Sequence, residues 1–463
     1  MRKAQIVFIA AALLLMALPC VLMPFVRGET GAENRLPAPW PALKDADGWN
    51  LDFPGEYEAW LRDHVALRGR WISCYARALR ALGTSSEVQV ILGRGDWLFF
   101  RETLNDYTGV QPLTDAEIDR LALTLDTVDA GLRAQGSCLI LAVVPNKASV
   151  YPEFMNPAYP RSDAPGNAAR LAARTSVVRV PLSDVLAARA NEGLYFHQDT
   201  HWNALGARHA ARAILETLAA ETGADIPLPD PAAPYETRVD WRSDLIRLLE
   251  PYTAAREAQQ YFADRLPFAY SGRYRSPEDL TIRTTGGAAP LRLLVLRDSF
   301  TNQLLEDLSG AVEDVTYLRA MPLSLREAAG TDAVLLEIVE RRLPELLAAP
   351  PEMPAPAVTR PADLDAADMV EARLEAARVE GQALVSGALA EAVPNLREVS
   401  LGVRTEDGEA WYSAFPVSGV AGDGDRGFAA LLPALPEEAE ICVYMRGDTA
   451  LRSEWTRPDA AGD

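Results

Sequence analysis

The run Leu291-Arg292-Leu293-Leu294-Val295-Leu296 ends directly in Arg297-Asp298-Ser299-Phe300. A short, nearly continuous apolar segment of this kind predicts a strand buried on both faces, the type that a parallel sheet uses. Parallel strands cannot be joined by tight turns, so helices must cross between them. The rest of the chain agrees. Strand-like segments 138–144, 176–180, 314–318 and 333–338 alternate with helical patterns at 114–135, 182–190, 204–219 and 302–308. The expected fold class is α/β, a parallel sheet flanked by helices on both faces. A polar side chain on the turn after such a strand stands at the carboxyl edge of the sheet, where open α/β folds place their ligands.

Asp199-Thr200-His201-Trp202 precedes the helical pattern 204–219, which Asn203 can cap. The chain has only 4 histidines, His64, His197, His201 and His209, so the choice of a general base is narrow. A serine hydroxyl is too weakly acidic to attack unaided, and a histidine must take its proton. An acid then fixes the imidazole tautomer and steadies its charge. Asp and His two positions apart on extended backbone project to the same side. The candidate catalytic set is Ser299 as nucleophile, His201 as base and Asp199 as support. An isolated Asp-Ser after a strand also serves as a helix cap, and an isolated Asp-x-His also occurs in surface turns and metal sites. Their joint occurrence at element boundaries favours catalysis. The backbone N–H of Ser299 or Phe300 is expected to receive the negative charge that attack creates.

The ends and composition set bounds. Lys and Arg total 45 against 65 for Asp and Glu, a formal charge of −20. That balance argues against nucleic acid as a partner, which wants a basic face. It also repels an acidic glycan at long range, unless a local basic groove acts within the screening length of about 10 Å. Met1-Arg2-Lys3 precedes an apolar run at 6–25 long enough for one tilted span, with a cytoplasmic amino end. The competing reading is a cleaved signal peptide, but Val26-Arg27-Gly28 is a poor cleavage site. Of the 4 cysteines, Cys20 lies in that run. Cys74 with Cys138 is a possible pair, but a buried free thiol at Cys74, Cys138 and Cys442 is preferred.

The expected organisation is residues 1–27 as membrane anchor or signal peptide, 28–53 as linker, 54–347 as the α/β domain, 348–365 as a stiff Pro-rich linker and 366–463 as a smaller all-β accessory domain. Helix periodicity covers 57–82, and a hairpin is expected from 88–92 and 97–100. In the last domain, strands alternate about Glu406-Asp407-Gly408 and recur at 428–432 and 440–445, the pattern of a β-sandwich. Trp411 and Tyr412 there suit a carbohydrate face or, more simply, the core. Asp423 and Asp425 read as a Gly-Asp turn rather than a calcium loop. Segment 229–290 breaks the strand–helix alternation and carries Tyr252, Tyr261, Phe262, Tyr270, Arg273, Tyr274 and Arg275. Aromatic faces stack on sugar rings and arginines hold hydroxyls or carboxylates, so this stretch either borders a glycan groove or packs an insertion onto the core.

An ordered set of motifs carries a resemblance. Gly93-Arg94-Gly95-Asp96-Trp97-Leu98-Phe99, Val144-Pro145-Asn146-Lys147 with Tyr151-Pro152-Glu153, Asp199-Thr200-His201-Trp202, Asp298-Ser299-Phe300 and Glu340-Arg341 span roughly residues 50 to 345. Together they resemble the AlgJ and AlgX group of periplasmic polysaccharide O-acetyltransferases, which have an SGNH-hydrolase-like domain. The resemblance implies the same roles for Ser299, His201 and Asp199, an exopolysaccharide substrate (alginate-like or another secreted glycan), no cofactor or metal, and a membrane-bound acyltransferase partner as acetyl donor. Arg297 stands where many relatives carry glycine before Asp-Ser, and is expected to crowd the turn or bring charge near the serine. Asn146, Lys147, Trp202, Tyr270 and Arg273 are the candidate substrate-binding residues. The rival readings are an acetylesterase with the same triad and a non-catalytic polysaccharide-binding component of an export complex.

Overall fold

The computed structural model describes residues 2–26, 36–45, 48–319, 323–406, 408–417 and 426–460. Asp423 and Asp425 lie outside them. The chain begins with helix α1 (Arg2–Leu22), whose apolar side chains, among them Ile6, Phe8, Leu14 and Met16, are exposed. Among the described residues no helix is long and apolar enough to cross a membrane.

Seven strands form the central sheet: β1 (Leu139–Val144), β2 (Val178–Arg179), β3 (Ala269–Tyr270), β4 (Thr281–Thr285), β5 (Ala289–Leu296), β6 (Val312–Leu318) and β7 (Ala333–Val339). Their order is β2-β1-β7-β5-β6-β4-β3. The first five are parallel, and β4 and β3 continue the sheet antiparallel at one edge. The sheet is thus mixed, with the parallel part where the apolar runs predict it. Every residue of β7 is buried, as a strand covered on both faces must be.

Helix α2 (Asp115–Arg133) covers one face. Thr114 and Glu117 close a reciprocal capping box at its start, satisfying two backbone donors that the first turn leaves unpaired. Ile118, Leu121, Leu125 and Leu132 from α2 join Leu139, Leu141, Leu294, Leu296, Val334 and Leu336 in one core layer. Helix α3 (Ala204–Thr222) covers the other face, where Ala207, Ala211, Ile214 and Leu218 meet Ile140, Ala142, Val295 and Leu335. Strand residues alternate between the two layers, as a period of two demands. Asn203 caps α3, its Oδ1 accepting the Gly206 N–H at 3.0 Å.

Several expectations change. The helical stretch 57–82 is two helices, Phe53–His64 and Arg68–Ala81, broken where Leu67 adopts a φ of 60°. A Cβ on Gly69, at the start of the second, would stand 2.5 Å from the Tyr252 ring, so a bare backbone is what lets that ring pack there. Cys74 is an exposed thiol, whereas Cys138 and Cys442 are buried and free. The segment 229–290 is a two-stranded ribbon, Tyr235–Trp241 with Glu257–Phe262, that encloses the short helix Asp244–Leu249 before the edge strands begin.

The carboxyl-terminal part is a sandwich of two mostly antiparallel sheets of six and five strands. Val399, Leu401, Ile441 and Val443 from one sheet meet Val385, Leu389, Phe428 and Ala430 from the other. Trp411 is buried against Trp455 and therefore serves the sandwich core rather than a glycan face. The Pro-rich stretch is not a free spacer. Met353 and Ala355 are buried, Ala357–Val358 adds a strand to the six-stranded sheet, and Met353 and Pro356 lie over Gly131 of α2.

Candidate active site

β5 ends at Leu296, and the chain then turns sharply at Asp298-Ser299. The turn is fixed from below. Asp298 Oδ1 accepts the Phe300 N–H at 2.8 Å, and its Oδ2 accepts the Val339 N–H of β7 at 2.8 Å. The Asp298 N–H and the Thr301 hydroxyl both donate to Glu337 Oε2, at 3.1 and 2.6 Å. Glu337 is fully enclosed in β7. Burial, reinforced by the nearby Asp298 charge, pushes its carboxyl well above the ordinary range and favours the neutral acid. Phe300 N–H is spent on Asp298, while the Ser299 N–H makes no hydrogen bond among the described residues.

The loop 196–202 brings His201 to this turn. His201 Nε2 stands 2.8 Å from Ser299 Oγ, and Asp199 Oδ1 lies 2.7 Å from His201 Nδ1. Asp199 is buried, and all its capacity is used. Oδ1 also accepts the His201 N–H at 3.0 Å, and Oδ2 accepts Trp241 Nε1 at 3.0 Å and the Asp244 N–H at 2.8 Å. Burial alone would raise this carboxyl, but the hydrogen bond and charge of His201 outweigh it and hold Asp199 below the usual carboxylate range. For His201 burial is the largest influence and acts downward, but the bond to Asp199 and the charges of Asp199 and Asp244 together outweigh it, so the imidazole is more basic than an ordinary histidine. A carboxylate on Nδ1 leaves Nε2 as the lone-pair side facing the serine, the state a general base needs.

Asp244 is the nearest further acid, with Oδ2 3.6 Å from His201 Nδ1. It accepts the Thr200 N–H at 2.8 Å and the Thr200 hydroxyl, which anchors the middle of the motif. Ligand atoms of Asp199, His201 and Asp244 come within 4.8 Å of one another, a spacing that would accept a cation. Each is nevertheless committed to a protein partner in the arrangement above. Trp241, Asp244 and Glu257, whose carboxylate takes the N–H groups of His197 and Gln198 at 2.6 and 2.9 Å, were not legible as site residues. They lie in the stretch whose aromatics point to sugar, and no spacing ties them to Asp199.

The expected substrate-binding residues divide. Trp202 is fully buried and donates from Nε1 to the Phe300 carbonyl at 3.1 Å, with its ring edge-on to Phe300. It joins the two motifs and does not face a groove. Lys147 is buried too. Its Nζ donates to the carbonyls of Phe196, His197 and Asp199 at 3.1, 3.0 and 2.6 Å, so it clamps the loop from beneath instead of reaching a ligand. Burial pushes its ammonium down to about 8, against the pull of Asp199 and Asp244. Asn146 gives one side-chain N–H to Asp106 at 2.9 Å and its backbone N–H to Glu340 at 3.1 Å, which holds the side chain in place and leaves its second amide N–H without a partner among the described residues. Tyr270 and Arg273 are exposed. Tyr270 stacks on Tyr274 with centroids 3.9 Å apart, on the edge strand β3 and away from Ser299 in the sheet order.

Arg297 does not crowd the turn. It is buried and directed away from the serine, donating to the carbonyls of Pro277 and Asp279, both at 2.8 Å, and to Asn302 Oδ1 at 2.7 Å. A glycine there would leave this loop untied.

Comparison with known proteins agrees with the motifs. A family model described as "SGNH hydrolase-like domain, acetyltransferase AlgX" matches residues 90–264, which include Lys147, Asp199 and His201. The chain is 33% identical over 137 residues to the probable alginate O-acetylase AlgJ of Pseudomonas putida, a match covering 29% of this chain and 34% of that protein. It is 30% identical over 214 residues to the AlgJ of Pseudomonas aeruginosa, covering 44% and 48%. The chain thus spans between a third and a half of the length of these curated relatives. Among solved structures, the O-acetyltransferase domain of Pseudomonas putida AlgJ matches with a TM-score of 0.35 and 23% identity, over 55% of this chain and 92% of that one.

Proposed function

We propose that this chain, AlgX-like over residues 90–264, is a polysaccharide O-acetyltransferase that works through an acetyl-serine at Ser299. The observation that carries the reading is the unbroken line from Asp199 Oδ1 to His201 Nδ1 at 2.7 Å and from His201 Nε2 to Ser299 Oγ at 2.8 Å. Ser299 Oγ attacks the acetyl carbonyl while its proton moves to His201 Nε2. The carbonyl oxygen becomes an oxyanion, and the Ser299 N–H is the backbone donor free to meet it. As the oxyanion collapses, the leaving oxygen takes the proton from His201, and the acetyl group stays on Oγ. A sugar hydroxyl then gives its proton to His201, attacks the acetyl-serine and carries the acetyl group away. Ser299 regains its proton, so the cycle balances.

The AlgJ relatives support an acceptor of the alginate kind, in the periplasm. The exposed, apolar α1 behind Arg2 and Lys3 supports attachment to a membrane, beside an acyltransferase that passes acetyl groups to Ser299. Residues 54–347 act as the transferase domain and 366–463 as its accessory sandwich. Tyr270, Tyr274 and Arg273 offer a rim for the glycan.

The test is an incubation of purified protein with an acetyl ester and de-acetylated alginate, read by acetyl signals on the recovered polymer. Acetylated polymer that disappears with Ser299→Ala is the expected result. Release of acetate alone would identify an esterase. Transfer by Ser299→Ala at the parent rate would end the reading.

A further inference from the structure

Arg341 lies against Phe300, the residue after Ser299, and the reaction above gives it no work. It follows the end of β7 by two residues, and β7 lies next to β5 in the sheet. The bond from Val339 N–H to Asp298 Oδ2 pins that strand end to the nucleophile turn. The guanidinium lies between two aromatic rings, 5.4 Å from the centroid of Phe100 and 5.9 Å from that of Phe300. The His201 ring is 4.7 Å from the same Phe300. Only 11% of the Arg341 side chain is exposed. Stacking satisfies the faces of a guanidinium, not the N–H groups in its plane. Here buried Nε and Nη1 have no hydrogen-bond partner among the described residues. The nearest carboxylate, Glu102, stands 3.9 Å from Nε, at the outer limit of an ion pair, and is itself largely exposed. A buried N–H without an acceptor destabilises the fold, so an unpaired pair of them marks a place where an acceptor arrives.

The acetyl-transfer reading, on which this inference rests, creates one such acceptor. Its oxyanion needs more than one donor. The structure provides the Ser299 N–H, while Phe300 N–H is held by Asp298, and Asn146, a neutral amide with one N–H held by Asp106, carries no charge to set against the oxyanion. A uronate carboxylate of the glycan would be the other candidate. The charges of Asp298, Glu102, Asp244 and Asp106 all act on Arg341, however, and a site with so many acids about it suits a small transient anion better than a charged polymer unit. We propose that Arg341 is a catalytic residue, the charged second donor to the oxyanion formed on the acetyl group bound at Ser299.

The experiment compares Arg341→Ala and Arg341→Lys with the parent, using a chromogenic acetyl ester for acylation and de-acetylated alginate for transfer. Loss of one oxyanion donor predicts a fall of about a hundredfold in kcat with the ester KM little changed. Guanidinium or methylguanidinium ion added to Arg341→Ala restores part of the rate. A kcat within threefold of the parent overturns the proposal, as does a defect confined to KM for the polymer. A loss that comes with a lowered melting temperature and no guanidinium rescue also overturns it, because the role is then structural. Ser299→Ala run in parallel separates the two readings. If it is inactive while Arg341→Ala is not, only the assignment of Arg341 fails; if it retains turnover, the acetyl-serine itself fails.

Discussion

The Lys147 ammonium lies 2.6 Å from the backbone carbonyl of Asp199. It is beneath the loop that presents Asp199 and His201, and it ties three carbonyls of that loop to the end of β1. Lysine serves here because three donors on one nitrogen can meet three converging acceptors.

Replacing Lys147 with Met keeps the bulk and removes the donors. Each buried acceptor left unpaired costs about 1–3 kcal/mol, so Lys147→Met is expected to lower the melting temperature by several degrees. Turnover of an acetyl ester falls with it, because the loop loses the support that sets the His201 to Ser299 distance. Calorimetry and ester kinetics check this. An unchanged midpoint would mean that the clamp contributes nothing.

Ester turnover should rise with pH along a limb set by His201, which must be neutral to take the serine proton. Its bond to Asp199 and the charges of Asp199 and Asp244 together outweigh burial, so the apparent pKa lies above the ordinary histidine value of about 6.5. In Asp199→Asn that carboxylate is gone and only the Asp244 charge still opposes burial, which moves the limb to lower pH while the plateau rate drops. The raised value also means that protonated His201 stabilises the fold below about pH 6.5, and that this contribution fades as pH climbs through the folded pKa. A pH–rate series on both proteins decides it; a limb that does not move would sever Asp199 from His201.

Glu337 offers a test with the opposite chemistry. Its folded pKa is raised, so its protonated form contributes stability that is complete below about pH 4.3 and is lost as pH rises through the folded value. Glu337→Gln mimics the neutral acid and still accepts from Asp298 and Thr301. Its melting temperature relative to the parent should therefore increase with pH across that window. Glu337→Leu orphans both donors and is expected to lose about 1–3 kcal/mol for each, together with activity. A relative midpoint independent of pH would show that Glu337 is already ionised in the fold.

Arg297 holds the loop 277–279 and not the reacting atoms. Arg297→Ala should lower the melting temperature, while kcat for a small acetyl ester stays within a few-fold of the parent. A collapse of kcat at unchanged stability would place its charge in the chemistry instead.

How much of this was legible in the sequence follows from range. The continuous apolar runs, the helical pattern from 114 and Asn203 are local signals, and the strands and helices that they mark are present. The meeting of His201 with Ser299 was also legible, since both residues flank elements whose ends share one sheet edge. The misreadings concern direction. Lys147 and Trp202 carry groups suited to a ligand, and only the folded chain shows them pointing inward at backbone carbonyls. Trp241 and Asp244 reach Asp199 from an insertion with no periodic tie to it, so no pattern could join them beforehand. The reversal at Leu67 was hidden because a leucine at positive φ leaves no mark of the kind a glycine would.

The bond from Trp202 Nε1 to the Phe300 carbonyl makes the histidine loop and the serine turn one rigid body before any substrate arrives. Such a centre is always armed. An acetyl-serine formed there, as proposed, would face attack by solvent as readily as by sugar, so fidelity would have to come from whatever covers the opening: an acceptor polymer laid across the rim, or a donor protein that stays docked until the acceptor is seated.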